Sequence, residues 1–256
     1  MMKTDEKFEA ARSGQLLIVA ALAIAILIAS TSIYIYELTA PNHKTEDSST
    51  VELALALRTG LGNAVVSALA NITSGGQKKV LAENLNTLAE AYLRLHPHRP
   101  CPLNYTLLNG EGYEDGVKLF WEANGLGVSS AYAFFRLKIL EQTSNVTLSG
   151  AINVTTSLTV EGHYTAGGNG TVKTVNLTCR VFNDGKPAKA KQITVYWRQT
   201  SEVWVPVENP SVTDWGNGTY TLTFAIDVAQ DVVHVSVRIV DARNIFVAAN
   251  ATCSQA

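Results

Sequence analysis

Charge is scarce in this chain. Of its 256 residues, 20 are Lys or Arg and 22 are Asp or Glu, or 16% charged with a formal net charge of −2. That argues against a nucleic-acid partner, because such proteins need a basic face that displaces counterions from phosphates. Cysteine is scarcer still, at 3, and no two lie close enough for a CxxC motif. GxSxG, HExxH and a phosphate-cradling Gly loop ending in Lys are also missing. His96-Pro97-His98-Arg99-Pro100-Cys101 gathers three soft ligands. A fourth is lacking nearby, and the prolines read as a helix-terminating connector. Glu111, Glu114 and Asp115 share a Gly-rich loop whose spacing fits no calcium signature. His163 and His234 stand alone in strand-like surroundings. We therefore expect no enzyme, no catalytic or metal-binding residue and no cofactor.

What the chain does have is an unbroken oily run, Leu16 to Tyr36, 21 residues without a charge, a Pro or a Gly. As a helix it covers about 31 Å, the thickness of a bilayer's hydrocarbon core. Tyr34 and Tyr36 stand at its outer end, where amphipathic rings suit the headgroup layer. Lys3, Lys7 and Arg12 precede the run, against Lys44 alone in the 15 residues after it. The positive-inside rule then places residues 1–15 in the cytoplasm and the bulk of the chain outside a plasma membrane crossed once. The rival is a cleaved secretory signal ending near Ala29-Ser30-Thr31, but the apolar run continues past that point.

An exterior location has two further marks. Asn-X-Ser/Thr acceptors for glycosylation occur at Asn71, Asn104, Asn145, Asn153, Asn169, Asn176, Asn217 and Asn250, all after the span. Asn153, Asn176 and Asn250 alternate with apolar neighbours, so period-2 geometry points each away from a predicted core. Cys179 shares the phase of Val175, Leu177 and Val181, and Cys253 that of Ile245, Val247, Ala249 and Ala251. Both point into the same core, and we expect a Cys179–Cys253 disulfide there. Closing that loop would stabilise by on the order of 4 kcal/mol in the chain-entropy model. Two unpaired core thiols are the alternative, and the pairing of Cys101 stays open.

Beyond the span, residues 37–49 read as a linker opened by Pro41. Residues 50–149 begin with a helical hairpin. Leu57, Leu61, Val65 and Leu69 recur at i+4, Leu81, Leu85, Leu88, Tyr92 and Leu95 form a heptad seam, and Ser74-Gly75-Gly76 reverses the chain. A mixed region follows, with strands at Val117–Trp121 and Val128–Leu140. Residues 150–256 read as all β, with seven short strands spaced by turns such as Asn183-Asp184-Gly185. Trp197 and Tyr220 fall on core-facing positions, while Trp204 and Trp215 are left to line a surface. The fold class expected is α+β: a transmembrane helix at 16–36, a helical hairpin, a mixed region and a C-terminal antiparallel β-sandwich.

Two resemblances bear on function. Asn183-Asp184-Gly185-Lys186-Pro187-Ala188, the strand to Trp197, and Gly216-Asn217-Gly218-Thr219-Tyr220 resemble the immunoglobulin-like modules of prokaryotic surface proteins over about 100 residues. That likeness implies a spacer, adhesive or assembly unit. Arg12-Ser13-Gly14-Gln15 directly before an apolar helix is similar to the class III (prepilin-like) signals of archaeal pilins and related surface subunits. There a peptidase cuts on the cytoplasmic side, which implies processing between Gly14 and Gln15 and a helix that enters a filament core. Val19 takes the place where bacterial pilins carry Glu, and Pro41 with the hairpin separates that helix from the β region. The leading expectation is a membrane-anchored, glycosylated cell-surface protein with a structural, adhesive or assembly role. Its partners would be the lipid bilayer and other copies of itself or surface-layer or pilus proteins. A pilin-like filament subunit is the second expectation, and the ectodomain of an exported hydrolase or solute-binding protein the third.

Overall fold

The computed structural model describes residues 43–95, 102–122, 124–140, 145–167, 171–200 and 203–256. The predicted cytoplasmic tail, the span Leu16–Tyr36, the processing residues Gly14 and Gln15, the His96–Cys101 cluster and Asn169 lie outside them. The chain divides into two compact units, Met1–Leu53 and Ala54–Ala256. The described part of the first is the start of helix α1 (His43–Thr73). The polar segment His43–Ser49, expected as linker, is therefore helical.

In the second unit α1 leads to a turn and to α2 (Val80–Leu95). Gly75, at φ +103°, and hydrogen bonds from Gly75 N to Ile72 O and Gly76 N to Asn71 O reverse the chain as predicted. The expected seam is real at its inner end. Leu57, Leu61, Val65, Leu69, Leu81 and Leu85 are buried, while Leu95 is 72% exposed. Gly60 lies where an added Cβ would sit 3.5 Å from both Leu88 and the Tyr92 hydroxyl, and Asn84 Nδ2 donates to Ala64 O at 3.4 Å. The two helices thus run antiparallel. Within α1, Glu52–Thr73 is long and apolar enough to cross a membrane by length and composition. It is a different segment from the predicted span, and its Leu57, Leu61, Val65 and Leu69 are sealed inside the protein.

The remaining elements are β1 (Leu103–Leu107), β2 (Val117–Phe120), β3 (Leu126–Leu140), β4 (Asn145–Ala166), β5 (Val172–Asn183), β6 (Lys186–Pro187), β7 (Ala190–Arg198), β8 (Trp204–Pro206), β9 (Ser211–Asp214), β10 (Thr219–Asp227), β11 (Val233–Asp241) and β12 (Phe246–Gln255). Pairing is antiparallel throughout, except where β12 meets β4 in parallel at Ser254–His163 and Gln255–Tyr164. The hydrogen-bonded order is β8-β7-β11-β12-β4-β5-β10-β9, with β3 beside β4 and both β1 and β2 on the far edge of β3. Inward residues of β4, β5 and β10 and of β7, β11 and β12 share one core, which includes Leu158, Leu177, Leu222, Val237 and Ala249. Each such Leu or Val side chain contributes about 1.5–3 kcal/mol relative to exposure.

The boundary expected at residue 150 falls inside β4. This strand is buried on its even-numbered face at Val154, Thr156, Leu158, Val160 and Tyr164. Ser149-Gly150 looks like a break in the sequence, yet both residues are paired, with Arg136 and Phe135. Gly150 is small there because a Cβ would lie 3.2 Å from the Phe135 ring. β3 buries Ala131, Ala133, Phe135 and Leu137 on the matching face. The helical hairpin covers this end. Leu81 reaches Gly116 beside β2, and the Tyr105 hydroxyl on β1 donates to Asn86 Oδ1 at 2.8 Å. Where β3 starts, Gly125 N donates to Asn250 O and Gly125 O accepts from Val160 N, so this residue passes between β12 and β4. Its φ of +70° and a Cβ position 2.1 Å from Val160 O admit only glycine.

Candidate functional site

The sequon asparagines collect on the outside of this scaffold. Asn104 pairs with Arg136, Asn153 with Tyr132, and Asn176 with His163. Residues two apart on a strand share a face, so these pairings place Asn104, Asn153 and Asn176 on one outer face of the sheet β1-β3-β4-β5. Asn104 and Asn153 are exposed and Asn176 is half-buried. Asn153 Oδ1 accepts from Ser130 Oγ at 3.2 Å and from Thr155 Oγ1, within its own sequon, at 3.1 Å. Asn176 Oδ1 accepts from Thr223 Oγ1 at 2.8 Å. In both, the hydrogen bonds are accepted by the carboxamide oxygen and not made by the nitrogen, the atom that would carry a sugar.

The other acceptors differ. Asn217 is exposed in the β9–β10 turn, where its Oδ1 accepts Thr219 N at 3.1 Å. Asn250 is half-buried on β12, opposite Ser236. Asn71 is exposed at the end of α1, but the hydroxyl of its sequon is not. Thr73 is 6% exposed, donates to Ala70 O at 3.2 Å and accepts Phe246 N at 3.1 Å. Asn145 begins β4.

Cys179 and Cys253 face the core as their phase predicts, both fully buried, but they stand as two free thiols and not as the expected bridge. They are close enough for the charge of one to act on the other. Burial first, and then Cys253, pushes the Cys179 thiol up to about 12, and burial pushes Cys253 to about 11. Gly162 makes the room, because a Cβ there would lie 2.8 Å from Cys253 Sγ and 2.3 Å from Leu177.

The acidic loop pairs one carboxylate and is otherwise held by main-chain bonds. Glu114 pairs with Lys78, whose hydrogen bond and charge hold that carboxyl below its usual range, and Lys118 Nζ donates to Glu111 O at 3.1 Å. Asp115 N donates to Asn109 Oδ1 at 2.9 Å. His163 is exposed on β4, and His234 Nδ1 lies 3.1 Å from Thr252 Oγ1. Tyr220 is buried with its hydroxyl accepting Ala190 N, and Trp197 packs against the core, as expected. Trp215 is 64% exposed, its Nε1 donating to Thr221.

Two buried charged groups, Asp241 and Lys173, were not singled out from the sequence. Asp241 is fully buried. Its Oδ1 accepts the N–H groups of Arg243 and Ile245, each at 2.8 Å, and its Oδ2 accepts Thr156 Oγ1 at 2.9 Å and Arg243 Nε at 3.1 Å. Arg243 goes on to Asp184 at 2.8 Å and Thr155 O at 2.9 Å. This network ties the β5–β6 turn and the β11–β12 turn to β4. Asp-Ala-Arg-Asn between two apolar runs signals a turn, but nothing in it shows that the charges point inward. Lys173, 2% exposed, donates to Gln230 O and lies 4.3 Å from the Tyr164 ring centroid.

Surface clefts of about 360, 390 and 370 Å³ open beside Arg136, Tyr196 and Glu161. None of them lines up a nucleophile with a base or brings two carboxylates together. Among the described residues, no three of His, Cys, Asp and Glu gather as a metal site. No protein-family model, no curated protein and no solved structure matches the chain.

Proposed function

We propose that the chain is a membrane-anchored, glycosylated cell-surface protein with a structural, adhesive or assembly role, not an enzyme. The observation that carries this reading is the placement of the sequons. Asn71, Asn104, Asn153 and Asn217 are exposed, Asn176 and Asn250 are half-buried, and three of the six share one sheet face. A glycan must face solvent, and none of these six positions would force one into the core. We read the shared core between β4-β5-β10 and β7-β11-β12 as an immunoglobulin-like sandwich. The span Leu16–Tyr36 supplies the anchor. Glycopeptide mass spectrometry of protein from its native host, with protease shaving of intact cells, tests the reading. Sugar on Asn153 or Asn176 and release of peptides beyond residue 43 are expected. Bare sequons together with full resistance to shaving would sink it.

A second reading, a pilin-like subunit processed after Gly14, is favoured by one observation. From Ala54 onward α1 belongs to the sheet-bearing unit, and α2 follows it as an addition to a helix-then-sheet order. The mature N-terminus separates the two readings. A start at Gln15 favours the filament subunit, and an intact Met1 or Lys3 excludes it.

A further inference from the structure

The outer face of β8, β7, β11 and β12 is built unlike the sequon-bearing face across the core. Its outward residues are even-numbered, since Val195, Val235, Val237, Ala249 and Ala251 face in. Register aligns them in rows. Asn250 lies opposite Ser236, and Ser236 opposite Tyr196. In the next row Thr252 lies opposite His234, and Arg198 lies opposite Trp204. The Arg238 guanidinium stacks over the Tyr196 ring, 4.2 Å from its centroid.

The charge on this face is one-sided. None of the outward positions on the four strands carries a carboxylate. Among the described residues, neither Arg198 nor Arg238 forms an ion pair. Both arginines are half-buried, as are Tyr196 and Trp204. A guanidinium keeps its charge at any working pH and presents a planar fork of donors suited to a carboxylate. Stacking on Tyr196 holds one fork in place before any ligand arrives. Aromatic side chains beside such forks offer an apolar surface to the C–H face of a sugar ring. Guanidinium donors with nearby aromatic rings and no competing carboxylate form a surface complementary to a sugar acid. Nucleic acid suits it poorly, because two arginines cannot track a phosphate chain.

The sequence supplies an occupant on the same face. Asn250 heads a sequon and stands two strands from Tyr196, about 10 Å away at ordinary strand spacing. A short saccharide leaving Asn250 reaches Tyr196, Arg238 and Arg198 without leaving the sheet. Glu122, whose carbonyl accepts Asn250 N at 3.3 Å, lies on the other side of β12 from the arginines. We propose that the glycan carried by Asn250 lies down on this face, and that it contains an acidic sugar held by Arg198 and Arg238. The proposal rests on the glycosylated-surface-protein reading and deepens it, since this glycan becomes part of the fold while those on Asn104 and Asn153 extend into solvent.

The test is a coupling measurement on the full-length protein purified from its native host. Asn250→Gln is made alone and in combination with R198Q/R238Q, and thermal unfolding is followed for each. Loss of the Asn250 glycan should lower the midpoint by about 3 °C in the parent and by much less in the arginine variant. Asn153→Gln should give the same result in both backgrounds. Equal losses from Asn250→Gln in both backgrounds overturn the proposal. A second readout needs no arginine variant: phenylglyoxal labelling of Arg198 and Arg238 should rise several-fold in Asn250→Gln, and unchanged labelling overturns it too. Glycopeptide analysis completes the test. A neutral glycan at Asn250, or an empty Asn250 beside occupied sequons, overturns this proposal alone. Bare sequons throughout overturn the proposal as well, and together with full resistance to shaving they also remove the reading beneath it.

Discussion

Replacing Asp241 by Ala asks whether one buried carboxylate holds two chain reversals against β4. Its side chain is fully shielded from solvent and accepts four hydrogen bonds. Without it the N–H groups of Arg243 and Ile245 lose their acceptor, and Arg243 keeps only Asp184, Thr155 and Thr156. An orphaned buried donor costs about 1–3 kcal/mol, and breaking a buried ion pair from one side costs about 3–5 kcal/mol. The two figures overlap because one carboxylate serves every partner, so we expect a loss of about 4 kcal/mol in total. Urea unfolding of residues 43–256, followed by tryptophan fluorescence, measures it as a lower midpoint at constant slope. Asp241→Asn keeps an oxygen for the two main-chain N–H groups and should cost roughly half as much. Adding Arg243→Gln to Asp241→Ala should cost little more, because the pair acts as a unit. A loss below about 1 kcal/mol, the size of an ordinary surface change, or simple additivity of the two substitutions, would refute the reasoning.

Three further outcomes follow from the same geometry. The raised Cys179 and Cys253 thiols make folding favour their protonated forms. Their contribution to stability is whole below the unfolded value near 9 and is lost as pH climbs toward 11–12. Iodoacetamide at pH 8 should therefore leave both unlabelled in the folded protein and label both in urea. Labelling of the folded protein at the unfolded rate would contradict the burial. Gly125→Ala should destabilise by at least about 1–3 kcal/mol from its positive φ alone, with the contact to Val160 O adding to that, and a neutral effect in thermal unfolding would show that β3 enters the sheet differently. Asn71 should be unmodified if glycosylation follows folding, since the Thr73 hydroxyl is buried and doubly bonded. A fully occupied Asn71 in mass spectrometry would place modification before folding.

How much of this could be read from residue order depends on how local each cause is. The hairpin of helices was legible because Leu57, Leu61, Val65 and Leu69 repeat with a helix's own period and Gly75 is the residue a reversal needs. Most strands were legible for the same reason, and Trp197 and Tyr220 fell on the core side as alternation demands. β6 and β9 were missed. Lys186–Pro187 is two exposed residues, and Ser211–Asp214 is exposed at all four, so neither carries an apolar pattern. β1 was missed because Tyr105 is held by its hydroxyl and not by an apolar phase. The boundary placed at 150, where an all-β pattern was read to begin, falls inside β4, which already pairs with β3 from Asn145. The reason for Gly150 is the Phe135 ring, on another strand. The Asp241–Arg243 network was out of reach for a like reason, because burial of a charge depends on partners such as Thr156, 85 residues away.

The scarcity of charge and the abundance of sequons have one physical explanation on the proposed reading. β4 has two faces. The even one is buried along much of its length, at Val154 and, in a core shared with β11 and β12, from Leu158 to Tyr164. The odd one, continued by β3, β5 and β10, carries Thr159, Thr165, Thr174, Thr178, Thr221 and Thr223, and its charges are few and of both signs: the weak Glu161–Arg180 pair at 3.5 Å, Asp227, and Arg136 and Lys138 on β3. A broad sheet face so poor in charge lacks the repulsion that keeps exposed sheets from associating. Hydrated sugars on Asn104, Asn153 and Asn176 would provide that separation by bulk, in a form that salt cannot screen. Stripping those three glycans should then lower solubility more at a given salt concentration than it lowers the unfolding midpoint, whereas removing the Asn250 glycan should do the reverse. If all four behave alike, the division of labour between the two faces fails, and with it the account of why this chain can dispense with charge.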